Sequence, residues 1–338
     1  MKNIAISVIV PVYGVEKYIE RCVRSLFSQT MTEGVEFIFV NDCTKDRSIE
    51  LLTALISEYP QLSPQVKIIH HPRNRGLAVA RQTGFDAARG EYILQLDSDD
   101  YFEYDMLEVM YEVALANNSD VVVSDFFWSW GKKDKYQVCP LYDGKEAIIN
   151  SIIAPWRYGN KTIGPSVWNK LIKKSIYKKH NISSVEGINH GEDLIVIIPV
   201  IYHATTITKV NRAFTHYNKQ NISSYTHDKS SSNIRQRLMA TETVANFLSK
   251  KGITCDEELD ERRFNEKLLA IANCDRHSLQ EFLTMYPQLN YEKLKHIVSP
   301  YWRLPYKFAL QGKIGMFIFL RNLIFHIRKI YRFIWPVN

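Results

Sequence analysis

The first hundred residues alternate between two kinds of apolar pattern. Residues 4–10 (IAISVIV) form an almost unbroken β-branched run, the pattern of a strand covered on both faces. Val15, Ile19, Cys22 and Leu26 then recur at helical spacing. Residues 35–40 (VEFIFV) read as the next strand, and 47–59 carry Leu51, Leu52, Leu55 and Ile56 as a helix. A strand over 66–70, a helix over 76–88 and a strand over 92–96 complete the series. Four strands alternating with three helices predict a parallel, doubly wound α/β sheet. A helix over 105–116 and a strand over 120–124 extend it.

Beyond about residue 125 this alternation breaks. Trp128, Trp130, Tyr136 and Trp156 stand among Gly, Pro and Lys, which predicts loops over a substrate cleft. Short helices are expected over 168–174 and 193–203, and strands over 206–210 and 214–217. From 231 to about 286 the chain turns helical and polar. No internal repeat or low-complexity tract is present.

Composition narrows the class. With 338 residues, 46% apolar and 23% charged, the chain is folded and of one or two domains, not disordered, collagen-like or disulfide-stapled. The net charge of +7 is unevenly spread. Nine of the 43 basic residues follow Glu292 with no acidic residue among them, leaving 34 against 36 acidic in the body. A nucleic-acid partner is therefore not expected. Cys22, Cys43, Cys139, Cys255 and Cys274 are odd in number and contain no C-x-x-C pair, as in a reducing, cytoplasmic compartment. The apolar N-terminal run is short and interrupted by Pro11, so it reads as a strand and not as a signal peptide. The Asn-x-Ser triplets at Asn181 and Asn221 then carry no meaning.

The basic tail has its own pattern. In residues 306–335 the longest uninterrupted apolar run, 314–320, is far short of the ~20 residues of a spanning helix. On a helical wheel Arg321, Arg328 and Arg332 share a stripe opposite Phe319, Leu323, Ile327, Ile330 and Ile334. This predicts an interfacial helix, peripheral on the inner face of the cell membrane, or a helix docked on the protein's own body.

In an open α/β sheet, ligands bind outside the carboxyl ends of the strands. Four loops qualify: Pro11 to Gly14, Asn41 and Asp42, the stretch after His71, and Asp97 to Asp100. Neither G-x-G-x-x-G nor a P-loop is present. LQLDSDD places three carboxylates in four residues at a strand end. Two unit charges ~5 Å apart at an effective dielectric of ~20 repel by roughly 3 kcal/mol. A hard cation removes that cost, and Mg²⁺ or Mn²⁺ with one or two carboxylates plus substrate phosphates is the usual arrangement; a solvated helix-capping turn is the alternative. Glu192 and Asp193 precede the apolar run Leu194, Ile197, Ile198 and Ile201. They suit either acid–base chemistry or the positive end of a helix. Arg73, Arg75 and Arg81 lie near a strand end and a helix start, a place for diphosphate or nucleobase contact or simply a charged surface.

Taken in order, SVIVPVYG, FIFVNDCTKDRS, RNRGLAVARQTG, GEYILQLDSDD, VWNKLIKKSIY and GED resemble the inverting family 2 glycosyltransferases, especially those that build bacterial capsule, O-antigen and other envelope polysaccharides. The resemblance covers residues 4 to about 224. It implies a GT-A fold, with a Rossmann-like, mostly parallel sheet and flanking helices. Residues 1–225 would form that domain, 1–100 its nucleotide-binding half and 101–225 its acceptor-binding half. A helical extension over 226–300 and the basic amphipathic segment 301–338 would follow.

The resemblance also assigns roles. Pro11 and Tyr13 would line the nucleobase pocket, Tyr13 stacking on uracil, and Asp42 would accept a hydrogen bond from the base. Arg75 and Arg81 would sit near base and diphosphate. Asp97, Ser98 and Asp99 match the D-x-D motif, with Asp97 and Ser98 toward ribose or sugar and Asp99 on Mn²⁺ or Mg²⁺. Asp193 matches the general base, and Glu192 would orient donor or acceptor. The partners implied are a UDP-sugar donor and a glycan or lipid-linked saccharide acceptor. Trp128, Trp130 and Trp156 become candidates for stacking on sugar rings, and His190 for touching the acceptor. Two positions depart from the family: Gly14 replaces a common Asn, and Tyr217 to Gln220 lack an expected Arg, for which Lys219 or His216 could substitute. A non-catalytic scaffold of the same fold is expected to have lost its acidic motifs, whereas DSD and GED are both present.

Overall fold

The structure is a computed structural model that describes residues 4–334, apart from 223, 225–227, 229 and 290; the side chains of 276 and 328–334 are also outside the description. Its first half follows the apolar pattern closely. Strands β1 (Ile6–Val12), β2 (Val35–Asn41), β3 (Val66–His70) and β4 (Tyr92–Gln95) alternate with helices α1 (Ile19–Phe27), α2 (Ser48–Glu58) and α3 (Leu77–Ala87). The strands pair in parallel in the order β3-β2-β1-β4. Successive side chains of a strand point to opposite faces. Ile6, Val8, Val10 and Val12 therefore enter one core beneath α1 and α2, while Ile9 joins Ile38, Val40, Ala80 and Ile93 on the α3 side. Burial on both faces is why β1 reads as a continuous apolar run. Each fully buried Val, Leu or Ile contributes about 1.5–3 kcal/mol.

The second half is mixed in its pairing. After the short β5 (Tyr101–Phe102) and α4 (Met106–Ala116) come β6 (Val121–Ser129), β7 (Asp134–Gln137) and α5 (Lys145–Ile153). Then follow β8 (Lys170–Lys173), α6 (Lys174–His180), α7 (Glu192–His203) and β9 (Ile207–Asn218). Strands β6 and β9 pair in parallel, and the other pairings of this half are antiparallel. The complete order among the described residues is β3-β2-β1-β4-β8-β6-β9-β5, with β7 on β6.

Two local expectations are corrected here. Residues 170–173 form strand β8, antiparallel between β4 and β6, where a helix is expected over 168–174. Leu171 and Ile172 fill opposite faces of the sheet, but buried Lys170 hides the two-residue alternation. The strands expected over 206–210 and 214–217 are the single strand β9. Its pairing with β6 shifts register between Val210 and Ala213, so Asn211 and Arg212 bulge outward and interrupt the pattern. Arg212 there pairs with Asp105 at 2.6 Å.

The C-terminal part is helical: α8 (Ser231–Lys250), α9 (Asp256–Asn273), α10 (Arg276–Thr284), α11 (Tyr291–Leu294), α12 (Pro300–Leu310) and α13 (Ile314–Ile334). It has a core of its own around Phe264, Phe282, Trp302 and Phe317. Helices α8 and α9 also reach back, with Val244, Leu248 and Leu259 joining the core under α5 and α7.

Candidate active site

A cavity of about 620 Å³ opens at the carboxyl ends of β1, β2 and β4. One end is built by Pro11, Tyr13, Gly14 and Asp42. Tyr13 is 52% exposed, an aromatic face left uncovered. Asp42 is buried, with its carboxylate already accepting from the backbone N–H groups of Arg75 (2.8 Å) and Gly76 (2.8 Å). His71 Nδ1 lies 2.7 Å from the same carboxylate, and its Nε2 lies 2.9 Å from Thr83 Oγ1. A carboxylate has about four lone-pair directions, so one remains for a ligand N–H. Gly76 has φ +87°, and a Cβ there would meet Asn189 at 2.4 Å. That close approach lets Asn189 cap Ala78 N at 3.0 Å and form part of the cavity wall.

The other end is organised by Arg81, on α3 and 4% exposed in its side chain. Its Nη2 donates to Asp97 (2.7 Å) and its Nη1 to Glu192 (2.7 Å) and Asp193. Three carboxylates from two elements thus share one guanidinium. Glu192 and Asp193 open α7, where the helix dipole favours negative charge. Gly191 before them adopts φ +94° with Ala240 3.0 Å from a would-be Cβ, so only glycine makes this entry to the helix easily. Burial and the charge of Asp193 push the Glu192 carboxyl up to about 8 against the pull of Arg81. Burial likewise raises Asp193, opposed first by Arg81. The Val167 backbone amide also favours ionised Asp193. The loop carrying Val167 is held by Lys170, whose Nζ donates to Ile163 O (2.8 Å), Ser166 O (2.7 Å) and Asn169 Oδ1 (2.9 Å). Burial lowers Lys170 to about 8.

Between the two ends lie Ser98 and Asp99. Burial and Asp97 push Asp99 up to about 6, while a 2.8 Å hydrogen bond from Asn221 Nδ2 opposes them. Asp100 accepts from Asn218 N at 2.7 Å through Oδ1, and its other oxygen is buried without a partner among the described residues. Among the described residues no group of three His, Cys, Asp or Glu side chains is close enough to hold a metal alone. Asp97, Ser98 and Asp99 offer the cavity oxygen ligands that carry excess negative charge. They fit a hard divalent cation that completes its shell with substrate phosphates, and not an all-protein cage.

Of the residues singled out by sequence, Pro11, Tyr13, Asp42, Arg81, Asp97, Ser98, Asp99, Glu192 and Asp193 all line this cavity, as does His190. Arg75 does not; its guanidinium reaches outward to Glu186 at 3.4 Å, and only its backbone amide serves Asp42. His216 is turned away, stacked between Tyr101 and Phe127 and 2.7 Å from Glu103. Lys219 lies over the Trp128 and Tyr217 rings. Trp128, Trp130 and Trp156 are not in the cavity wall, where Trp168 stands instead, stacked on Tyr217. Sequence reading gave no site role to Asn189, Trp168, Asn221, Arg237 and Arg262; Trp168 lies within VWNKLIKKSIY, and the others reach the cavity from outside the matched motifs.

The family model for glycosyl transferase family 2 matches residues 7–180. The chain belongs to that family. The "putative glycosyltransferase EpsH" of Bacillus subtilis (strain 168) is 30% identical over 304 residues, 88% of this chain and 83% of its own. The cholesterol galactosyltransferase of Borreliella burgdorferi is 28% identical over 73% of this chain and 68% of its own. S. aureus TarS 1–349, solved in complex with UDP-GlcNAc, superposes with a TM-score of 0.62 at 18% identity, covering 94% of this chain and 90% of that one. The likeness is one of fold. This family 2 enzyme has the GT-A architecture, and its D-x-D segment and Glu-Asp pair meet at Arg81.

Proposed function

We propose that this glycosyltransferase moves a sugar from a nucleotide-sugar donor, a UDP-linked hexose or N-acetylhexosamine, to a glycan or lipid-linked acceptor with inversion. The setting is the synthesis of an envelope polysaccharide of capsule, O-antigen or exopolysaccharide type. The observation that carries this reading is the joining of Asp97, Glu192 and Asp193 through Arg81, at the far end of a cavity that begins at Tyr13 and Asp42. Residues 1–100 supply the nucleotide side and 101–225 most of the acceptor side.

In this reading uracil stacks on Tyr13 and gives its N–H to the remaining lone pair of Asp42. Asp97 and Ser98 face ribose and sugar. Asp193 takes the proton from an acceptor hydroxyl, whose oxygen attacks the anomeric carbon from the face opposite the nucleotide. The bond from that carbon to the diphosphate oxygen breaks, and its electron pair leaves with the nucleoside diphosphate. Glu192 and Arg81 hold Asp193 in place and set its charge. A Mn²⁺ or Mg²⁺ ion on Asp99 supplies Lewis-acid stabilisation of the diphosphate charge when bound. Positioned base catalysis is worth ~10²–10⁴-fold.

Titration calorimetry with UDP, GDP and dTDP, each with and without Mn²⁺, tests this reading. Metal-dependent binding of UDP that Asp99→Ala abolishes is expected. No binding of any nucleotide by the folded protein would instead favour a scaffold or glycan-binding role.

A second reading concerns α13. No helix among the described residues is long and apolar enough to cross a membrane. Yet Met316, Phe319, Leu323 and Ile327 lie on one face of α13 and are 44–64% exposed. Arg321 turns the other way, donating to Cys274 O at 3.1 Å. An apolar stripe left outward on a segment rich in Lys and Arg suits an anionic lipid surface. In liposome flotation, deletion of 306–338 is expected to abolish binding to anionic vesicles; unchanged flotation contradicts it.

A further inference from the structure

Arg237 on α8 and Arg262 on α9 line the cavity, and the chemistry above gives them no task. Among the described residues, Glu266 is the one carboxylate within ion-pair distance of either. It lies 2.6 Å from Arg237 Nε and 3.9 Å from Arg262 Nη2, and is 1% exposed. One carboxylate therefore serves two guanidinium groups, and positive charge is left over. Glu266 grips Arg237 through both Nε and Nη2 (2.6 and 2.7 Å), a fork that fixes the guanidinium plane. Its Nη1 has no protein partner among the described residues. Arg262 is steadied by Thr241 Oγ1 (3.1 Å) and Ile153 O (3.3 Å). A buried carboxylate that orients arginines toward an open cavity is the arrangement of a preorganised anion site.

Position says which substrate it serves. Gln236, beside Arg237, accepts the backbone N–H groups of Asn189 (2.7 Å) and His190 (3.2 Å), the segment that leads into Glu192 and Asp193. A Cβ on Gly191 would lie 3.8 Å from Arg237 Cα. Arg262 touches Ile153 O, and the neighbouring Ile152 and Pro155 form the cavity wall there. Both arginines thus border the Asp193 end, away from Tyr13 and Asp42. His190 Nδ1 is buried there without a partner among the described residues. Asp228 also lines this stretch, its Oδ1 engaged by Ser230 N at 2.8 Å. Guanidinium groups arriving from two helices suit a tetrahedral oxyanion, which offers oxygens in more than one plane.

We infer that Arg237 and Arg262 form a phosphate subsite for the acceptor, so that the helical extension selects a phosphorylated saccharide or a phosphodiester-linked chain. The inference rests on Asp193 as the base. The rival source of the same chemistry is the donor's own diphosphate, and the test separates the two.

In calorimetry on the full chain saturated with UDP and Mn²⁺, N-acetylglucosamine 1-phosphate should bind at least tenfold more tightly than methyl N-acetylglucosaminide. Arg237→Gln leaves Glu266 within 3.9 Å of Arg262, so neither buried charge is left without a counter-ion. It should weaken the sugar phosphate at least tenfold and leave UDP affinity unchanged, and Arg262→Gln should do the same. Melting curves identify variants that fold. Equal binding of charged and neutral sugars, or unchanged sugar-phosphate affinity in both folded variants, would overturn the subsite. Loss of UDP affinity in the variants would assign the arginines to the donor and overturn it equally. Wild-type protein that ignores UDP counts against the proposed function alone, because the two sugars can be compared without nucleotide.

Discussion

The two ends of the cavity handle buried carboxylates in opposite ways. At Asp42 one carboxylate meets three donors: two backbone amides and a histidine ring. At Arg81 three carboxylates meet one guanidinium. The first is a nearly finished network, able to accept one more hydrogen bond and nothing that disturbs its shape. The second carries negative charge that the protein alone does not balance, and Glu192 and Asp193 hold their protons more tightly, first through burial and then through the neighbouring carboxylates. A finished network suits recognition of a planar base; an unbalanced one suits a base and a charged, cation-assisted reaction.

The comparison can be broken at several points. Asp193→Asn removes the proposed proton acceptor and keeps its shape, so turnover of the proposed UDP-sugar donor should fall by about 10²–10⁴-fold. Transfer at the wild-type rate would move the base elsewhere. Arg81→Met strands three carboxylates in a buried site. Breaking such a pair costs about 3–5 kcal/mol, read as a lower denaturation midpoint in urea. A variant of unchanged stability would mean that the carboxylates do not depend on Arg81.

The pH dependence has a definite sign. Asp193 must be ionised to accept a proton, and its raised affinity for protons moves that requirement upward. Activity should therefore fall on the acid side above the ordinary aspartate range near 3.8, where the pair with Glu192 takes up a proton. A rate that holds down to the ordinary range would contradict the crowding at Arg81. The smallest change expected is at the finished end. Thr83→Val deletes one hydrogen bond to His71 and should weaken UDP by about 1 kcal/mol or less. A larger loss in calorimetry would show that His71 steers Asp42 more than the geometry requires.

How far each region could be read from sequence follows the same division. The β1–β4 half was legible because both faces of β1, β2 and β4 are buried, and the local apolar runs state that directly. The D-x-D and Glu-Asp residues were legible because paired acids at a strand end or helix start are conspicuous. β8 was not, because buried Lys170 spends its charge on the carbonyls of Ile163 and Ser166, information that lies outside the strand itself. At Arg75 it is the backbone amide and not the guanidinium that meets Asp42, a difference no spacing along the chain signals. Arg237 and Arg262 were invisible for a third reason: long-range packing, not any spacing along the chain, brings them to the cavity.

The division of labour between the two ends is tested most directly by titrating UDP with Mn²⁺ into Asp42→Ala and Asp193→Asn side by side with the wild type. Asp42→Ala should bind UDP at least tenfold more weakly, and Asp193→Asn should bind it as the wild type does. Wild-type affinity in Asp42→Ala, or lost affinity in a folded Asp193→Asn, would contradict that division.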